Sequence, residues 1–194
     1  GDFSLHNNTT GTANVALGSK AGYSNTSGSS NTFLGYQSGF KNTTGDSNTF
    51  IGHQSGYSND EGSSNTLIGQ QSGYSNTTGY RNTNLGYLAG YGNTIGHSNT
   101  FLGAQAGTST TTGNSNTYLG DGAGFFNQTG SSNVYIGYFA GFNESGSEKL
   151  YIENSSSSSP LIYGEFNNDL VQINGKLEAH TSDSDTTSIF LNEG

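Results

Sequence analysis

The side chains best suited to metal binding or acid–base chemistry are four histidines, His6, His53, His97 and His180. They are widely separated, and none stands with carboxylates at the spacing of a metal-ligand set, so they read as scattered surface histidines. Asp183-Ser184-Asp185 and Asn167-Asn168-Asp169 offer oxygen ligands, but neither follows the spacing of a calcium loop. Both read as turns. The glycines recur at fixed spacing in unit after unit with no βαβ context, so they do not spell a phosphate-binding loop. No Ser-His-Asp or paired-carboxylate constellation can be assembled. With no cysteine there is neither a disulfide nor a thiolate metal site. The expectation is a protein that is not an enzyme, with no catalytic residue, no metal and no cofactor.

Charge narrows the partners. Fourteen acidic against five basic residues give a formal charge of −9. Lys20, Lys41, Arg81, Lys149 and Lys176 are scattered, so a nucleic-acid partner is not expected. No run of about 18 apolar residues is present to insert in a membrane, and no charged segment followed by an apolar stretch opens the chain. Only 29% of the 194 residues are apolar, a composition compatible with disorder. A disordered tract, however, has no reason to hold its apolar residues at a fixed spacing.

That spacing is 17 residues. Eight units run from about Asn14 to Lys149, each reading approximately N-T-F-L-G-Y-Q-S-G-Y-S-N-T-T-G-S-S from its first Asn. The first position is Asn14, Asn31, Asn48, Asn65, Asn82, Asn99, Asn116 and Asn133. The fourth is always Leu or Ile: Leu17, Leu34, Ile51, Ile68, Leu85, Leu102, Leu119 and Ile136. Glycine follows at Gly18, Gly35, Gly52, Gly69, Gly86, Gly103, Gly120 and Gly137, and two further glycine columns contain Gly22 and Gly11. The eighth position is always Ala or Ser, and the tenth is aromatic except at Thr108.

Three glycines per 17 residues, among Asn, Ser and Thr, argue against helix. Short strands joined by glycine turns fit, and a strict period is what stacked coils about 4.8 Å apart require. The predicted fold is an all-β, parallel β-roll or β-solenoid over residues 1–148, roughly 35 Å long over its eight coils by the same spacing. Within a unit, Thr32-Phe33-Leu34 and Tyr36-Gln37-Ser38 are predicted strands meeting at Gly35, one of the turn glycines. Asn42-Thr43-Thr44-Gly45 is a turn, with Gly45 available for positive φ and Asn42 able to bond its own backbone. The Leu/Ile column is the expected core. Residues 1–13 keep the register of Gly11 and read as the tail of a preceding coil.

Alternation then sends the third position outward. Phe33, Phe50, Leu67, Phe101, Tyr118 and Tyr135 become a second apolar stripe and the candidate oligomer interface. The other reading is a kink that places both columns inside one chain. At the variable sixth position, Tyr36, Tyr87 and Tyr138 are candidate surface-ligand residues for a glycan or other surface. A ladder of Thr32, Thr49, Thr66, Thr83, Thr100 and Thr117 admits an ice-binding face as an alternative.

Residues 149–194 form a second, short β-rich segment, a transition or neck. Strand-like runs occur at Leu161-Ile162-Tyr163, Leu170-Val171-Gln172-Ile173, Leu177-Glu178-Ala179 and Ile189-Phe190-Leu191, with turns at Asn167-Asn168-Asp169 and Asn174-Gly175. Ser155 to Ser159 and Pro160 read as a loop.

The N-T-F-L-G and small-x-x-G spacing resembles the head repeats of YadA-like trimeric adhesins, whose coils are shorter. It also resembles longer-period versions in bacterial surface proteins and phage tail-fibre-like proteins. Lys149-Leu150-Tyr151-Ile152-Glu153-Asn154, Pro160-Leu161-Ile162-Tyr163-Gly164-Glu165-Phe166 and Val171-Gln172-Ile173-Asn174-Gly175 resemble the segment that leads toward an endosialidase-type intramolecular chaperone in such proteins. The resemblance implies a left-handed roll, three chains around one axis, and an extracellular location on a bacterial cell surface or a phage or contractile tail fibre. The expected function is a structural or adhesive fibre module, a homotrimer facing an unknown surface or glycan receptor. A purely structural spacer in a tail fibre is the remaining alternative.

Overall fold

The computed structural model describes residues 1–177. One strand per unit stacks on its copy in the next coil: β1 Val15–Leu17, β2 Thr32–Leu34, β3 Thr49–Ile51, β4 Thr66–Ile68, β5 Thr83–Leu85, β6 Thr100–Leu102, β7 Thr117–Leu119 and β8 Val134–Ile136. Three more follow, β9 Lys149–Ile152, β10 Ile162–Glu165 and β11 Leu170–Ile173. All eleven lie in sequence order in one sheet. β1 to β9 are parallel, and β9, β10 and β11 are antiparallel. The described residues therefore form a parallel β-solenoid followed by an antiparallel meander.

Register is in phase over the eight units, with Phe33 opposite Phe50 and Leu34 opposite Ile51. At β9 one residue is deleted, so that Val134 pairs with Leu150 and Ile136 with Ile152. The 17-residue period fails there, and the ladder continues.

The facing of the strand reverses the expected one. Phe33, Phe50, Leu67, Phe101, Tyr118 and Tyr135 are fully buried inside the coil of one chain, so they form its core rather than an oligomer interface. Leu17, Leu34, Leu85, Leu102 and Leu119 are exposed, and Ile51, Ile68 and Ile136 only partly covered. The Leu/Ile column is thus the outer face. The coil closes on the third side chain because the chain turns sharply after each strand, through left-handed residues at Gly35, Gln37 and Gly39. That also corrects the second strand, since 36–38 is a turn.

Small residues let the rings in. A Cβ on Gly39 would come within 2.4 Å of the Phe33 ring, and Ala21, Ser38, Ser55, Ser72, Ala89, Ala106, Ala123 and Ala140 are buried beside the ring column. Ser38 Oγ donates to the Phe50 carbonyl at 2.8 Å and Ser55 Oγ to that of Leu67 at 2.7 Å.

The rest of the interior is polar. At the first position each asparagine from Asn14 to Asn116 accepts, through Oδ1, the backbone N–H of the next coil's asparagine, as Asn31 does from Asn48 at 2.9 Å, and Asn133 accepts that of Lys149 at 2.9 Å. Its Nδ2 donates to a glycine carbonyl, as Asn48 does to Gly62 at 2.7 Å. A second ladder runs through the twelfth position, where Asn59 Nδ2 donates to Asn42 Oδ1 at 2.7 Å and to the Gly62 carbonyl at 2.9 Å. Buried amides bonded on both sides cost little to desolvate and fix the register. Two such ladders let a chain poor in aliphatic residues fill its interior with satisfied polar groups. Gly45 is not at positive φ; its Cβ would meet the Gly62 carbonyl oxygen at 2.4 Å and Asn42 Oδ1 at 2.6 Å.

The twelfth-position ladder is interrupted at Thr110 and gives way to Glu144 in the last unit. Thr110 replaces asparagine, its Oγ1 donates to the Asn127 carbonyl at 2.9 Å, and the buried Asn93 Oδ1 has no partner. An unsatisfied buried acceptor costs about 1–3 kcal/mol. Thr110→Asn supplies the missing donor and is expected to raise stability by about 1 kcal/mol, read as a higher thermal midpoint. An unchanged or lower midpoint would contradict this account of the ladder.

The predicted runs at 177–179 and 189–191 extend into or lie among residues outside those described, as do His180 and Asp183-Ser184-Asp185. Asn167-Asn168-Asp169 does turn, through a 3₁₀ segment Phe166–Asn168 and Asp169 at φ 51°.

Candidate interaction faces

The first face is the outside of the sheet. Partners across a ladder share a face, so Leu17, Leu34, Ile51, Ile68, Leu85, Leu102, Leu119 and Ile136 form one stripe. The pairing carries it on through Ile152, Ile162 and Ile173. Eleven consecutive rungs hold Leu or Ile, although the chain changes at β9 from parallel coils to an antiparallel meander. The length is about 48 Å at the usual strand spacing. Beside it runs the second-position column, Val15, the six threonines from Thr32 to Thr117, and Val134. Leu34, Leu85, Leu102 and Leu119 are 39, 43, 39 and 41% exposed in the single chain, too much apolar surface in one line for chance scatter.

The second face is the tenth-position aromatic column. His6, Tyr23, Phe40, Tyr57, Tyr74 and Tyr91 stack at 5.0–5.2 Å with interplanar angles of 4–15°. Burial among the rings, with Tyr57 and Tyr91 as neighbours, raises the pKa of Tyr74. Rings stacked this way offer their edges to solvent, not their faces.

The sixth-position tyrosines do not form one site. Tyr36, Tyr87 and Tyr138 are exposed on three different coils. Tyr36 stacks on His53 at 5.5 Å, and Tyr138 on Phe139 at 4.1 Å. The other described histidines are likewise ring partners: His97 stacks on Tyr80 at 4.6 Å, and His6 on Tyr23. Among the described residues no three His, Cys, Asp or Glu side chains gather as a metal site. No helix there is long and apolar enough to cross a membrane.

Among the described residues, the ion pair lies in the β9–β11 meander. Lys149 Nζ contacts Glu165 Oε1 at 2.7 Å and Tyr163 Oη at 3.1 Å, while Tyr163 and Asn168 also donate to Glu165. The Lys149 ammonium, with these two hydroxyl and amide donors, holds the Glu165 carboxyl down to about 2. Its stabilising contact is present above the ordinary carboxylate range and is lost only as pH falls toward that value. Hydrogen bonding to Glu165 and Tyr163 raises Lys149, which remains an ammonium and not a nucleophile. Burial lifts the phenols of Tyr118 and Tyr135 well above their usual range. They are core groups.

This network, the asparagine ladders and the outer Leu/Ile stripe escaped the reading of sequence. The stripe had a signal, its unbroken Leu/Ile identity, but that signal points equally to inside and outside. No protein family, curated protein or solved structure matches the chain.

Proposed function

We propose that this chain is a rigid structural and adhesive fibre module, assembled as a homotrimer through the outer Leu/Ile stripe. The observation that carries the reading is the stripe's persistence over eleven rungs. The core column beneath it is less uniform, admitting Ala16, Leu67, Asn84 and Tyr118 in the same register. A face that is more uniformly apolar than the core answers to something outside the chain. A second and third copy laid parallel would match it rung for rung, which suits closed cyclic symmetry. The left-handed coil and the bacterial-surface or tail-fibre location follow from the resemblance to trimeric adhesin heads. On this reading the surface that carries the aromatic column is left free to meet cells, glycans or other surfaces.

Sedimentation equilibrium tests the assembly. The native chain is expected to be a trimer at low micromolar concentration, and Leu85→Lys with Leu102→Lys a monomer, because two buried ammonium groups per chain cost several kcal/mol. A monomeric native chain overturns the proposal.

The outward threonines favour one second reading. Thr32, Thr49, Thr66, Thr83, Thr100 and Thr117 lie on the same outer face as the stripe, a regularly repeating array of hydroxyls of the kind ice binding needs. Trimer formation and ice binding would compete for that face. Thermal hysteresis from a monomer favours ice binding, and its absence from a trimer favours the fibre.

A further inference from the structure

The aromatic column at the tenth position is interrupted once. Rings stand in every coil from His6 to Tyr91, and again at Phe125 and Phe142, which lie 5.2 Å apart. Between them is Thr108. Tyr91 has Tyr74 against one face, and toward the next coil it meets no ring. Phe125 is braced on its far side by Phe142 and edge-on by Phe126 at 4.7 Å and 74°. Two coil steps separate Tyr91 from Phe125, about 9.6 Å by strand spacing. That is two stacking distances, with the place of one ring left between them.

Neighbouring positions keep the notch open. Gly92 occupies the eleventh position, where Ser24, Lys41, Ser58 and Ser75 stand in earlier coils. The Thr108 hydroxyl donates to backbone carbonyls, those of Gln105 at 2.8 Å and Leu88 at 3.3 Å, so it lies down on the coil. Residues 88–94, 105–111 and 122–128, which make the three coils at this edge, contain no charged side chain. The rim is neutral and polar, with Gln105 and Ser109 partly exposed.

We propose that the notch between Tyr91 and Phe125, over Thr108, is a stacking site for one uncharged pyranose ring of a glycan. Such a ring has apolar C–H faces and a belt of hydroxyls. Two aromatic walls suit the faces, and the hydroxyl and amide rim suits the belt. An acidic sugar would find no cation here. The site is distinct from Tyr36, Tyr87 and Tyr138. It deepens the adhesive part of the proposed function and is independent of the trimer.

Saturation-transfer NMR of the full chain with methyl β-glucopyranoside, methyl β-galactopyranoside and their β-linked tetramers tests it, with indole as an aromatic comparison. At least one neutral sugar is expected to receive saturation on its ring C–H protons. Thr108→Tyr fills the notch with the repeat's own residue, so the fold is kept and binding falls at least tenfold. Tyr91→Ala removes one wall and is expected to do the same. No transfer to any sugar, or transfer unchanged in Thr108→Tyr, overturns the proposal. Indole binding that Thr108→Tyr abolishes, without sugar binding, also overturns it, by assigning the notch to an aromatic side chain of a partner protein. Failure on these counts with the native chain still trimeric by sedimentation removes the notch and leaves the fibre reading standing.

Discussion

Gly69→Ala is expected to break the solenoid between the coils of β4 and β5, lowering stability by at least about 3 kcal/mol and splitting a single unfolding transition in two. Gly69 has φ +131°, a region that side-chain-bearing residues leave almost unoccupied, at a cost of order 1–3 kcal/mol. Its Cβ would also lie 2.3 Å from the Gly86 carbonyl oxygen and 2.7 Å from its carbon. Those atoms are backbone and cannot turn aside. They belong to the coil that holds β5, whose Gly86 N–H bonds the Ile68 carbonyl at 2.9 Å. Relief therefore means prising two coils apart. In a stacked repeat each coil is stabilised chiefly by its neighbours, so a broken contact in mid-array divides the cooperative unit. Gly146→Ala is the control. A Cβ there meets only Glu144 Oε1 at 3.0 Å and more distant side-chain atoms, and φ is not positive. Urea unfolding followed by circular dichroism should give Gly146→Ala a near-native midpoint. Equal midpoints for the two variants would refute the account of this glycine column.

The period, the parallel stacking and the absence of α-helix from the repeat units follow from residue spacing, because a fixed 17-residue recurrence of Asn, Leu/Ile and Gly has few other physical explanations. The facing does not follow. A three-residue strand such as Thr49-Phe50-Ile51 alternates equally well with Phe50 inside or with Thr49 and Ile51 inside. What decides is the sense in which the backbone closes, set partly by residues such as Gln37, Gln54, Ser47 and Ser64 at φ 53–59°. Nothing in their chemistry announces a left-handed conformation. The uniform Leu/Ile column resembles a core because cores are expected to be strict, yet here the interior accepts Asn84 opposite Phe101. The asparagine ladders do not account for that tolerance, since the buried Asn84 Oδ1 has no partner, and the first-position ladder was visible only as a column. An Asn at the first position reads as a turn residue until its Nδ2 is seen bonded to a carbonyl of its own coil's end, as Asn31 is to Gly45 at 2.8 Å.

Phe50→Ala is expected to cost about 3–5 kcal/mol, and Ile51→Ala no more than about 1.5 kcal/mol in the isolated chain. The two residues are adjacent, and opposite orders of effect are predicted by the two ways the strand can face. Phe50 is fully buried, its ring centroid lies 5.7 Å from that of Phe33, and Gly39 and Gly56 press against it. Their backbones are tied to the neighbouring coils, Gly39 N–H to the Ser55 carbonyl and Gly56 N–H to that of Ser72, both at 2.9 Å. The walls of the void left by the ring therefore cannot collapse, and the full cavity penalty applies. Ile51 lies half-covered on the outer face. Truncating it removes little from one chain and an apolar rung from the proposed trimer. Phe50→Ala should lower the urea midpoint by the same amount at every protein concentration. Ile51→Ala should lower it by an amount that changes with concentration, because its loss falls on association. A larger, concentration-independent loss for Ile51→Ala would return the Leu/Ile column to the interior and remove the ground for the trimer.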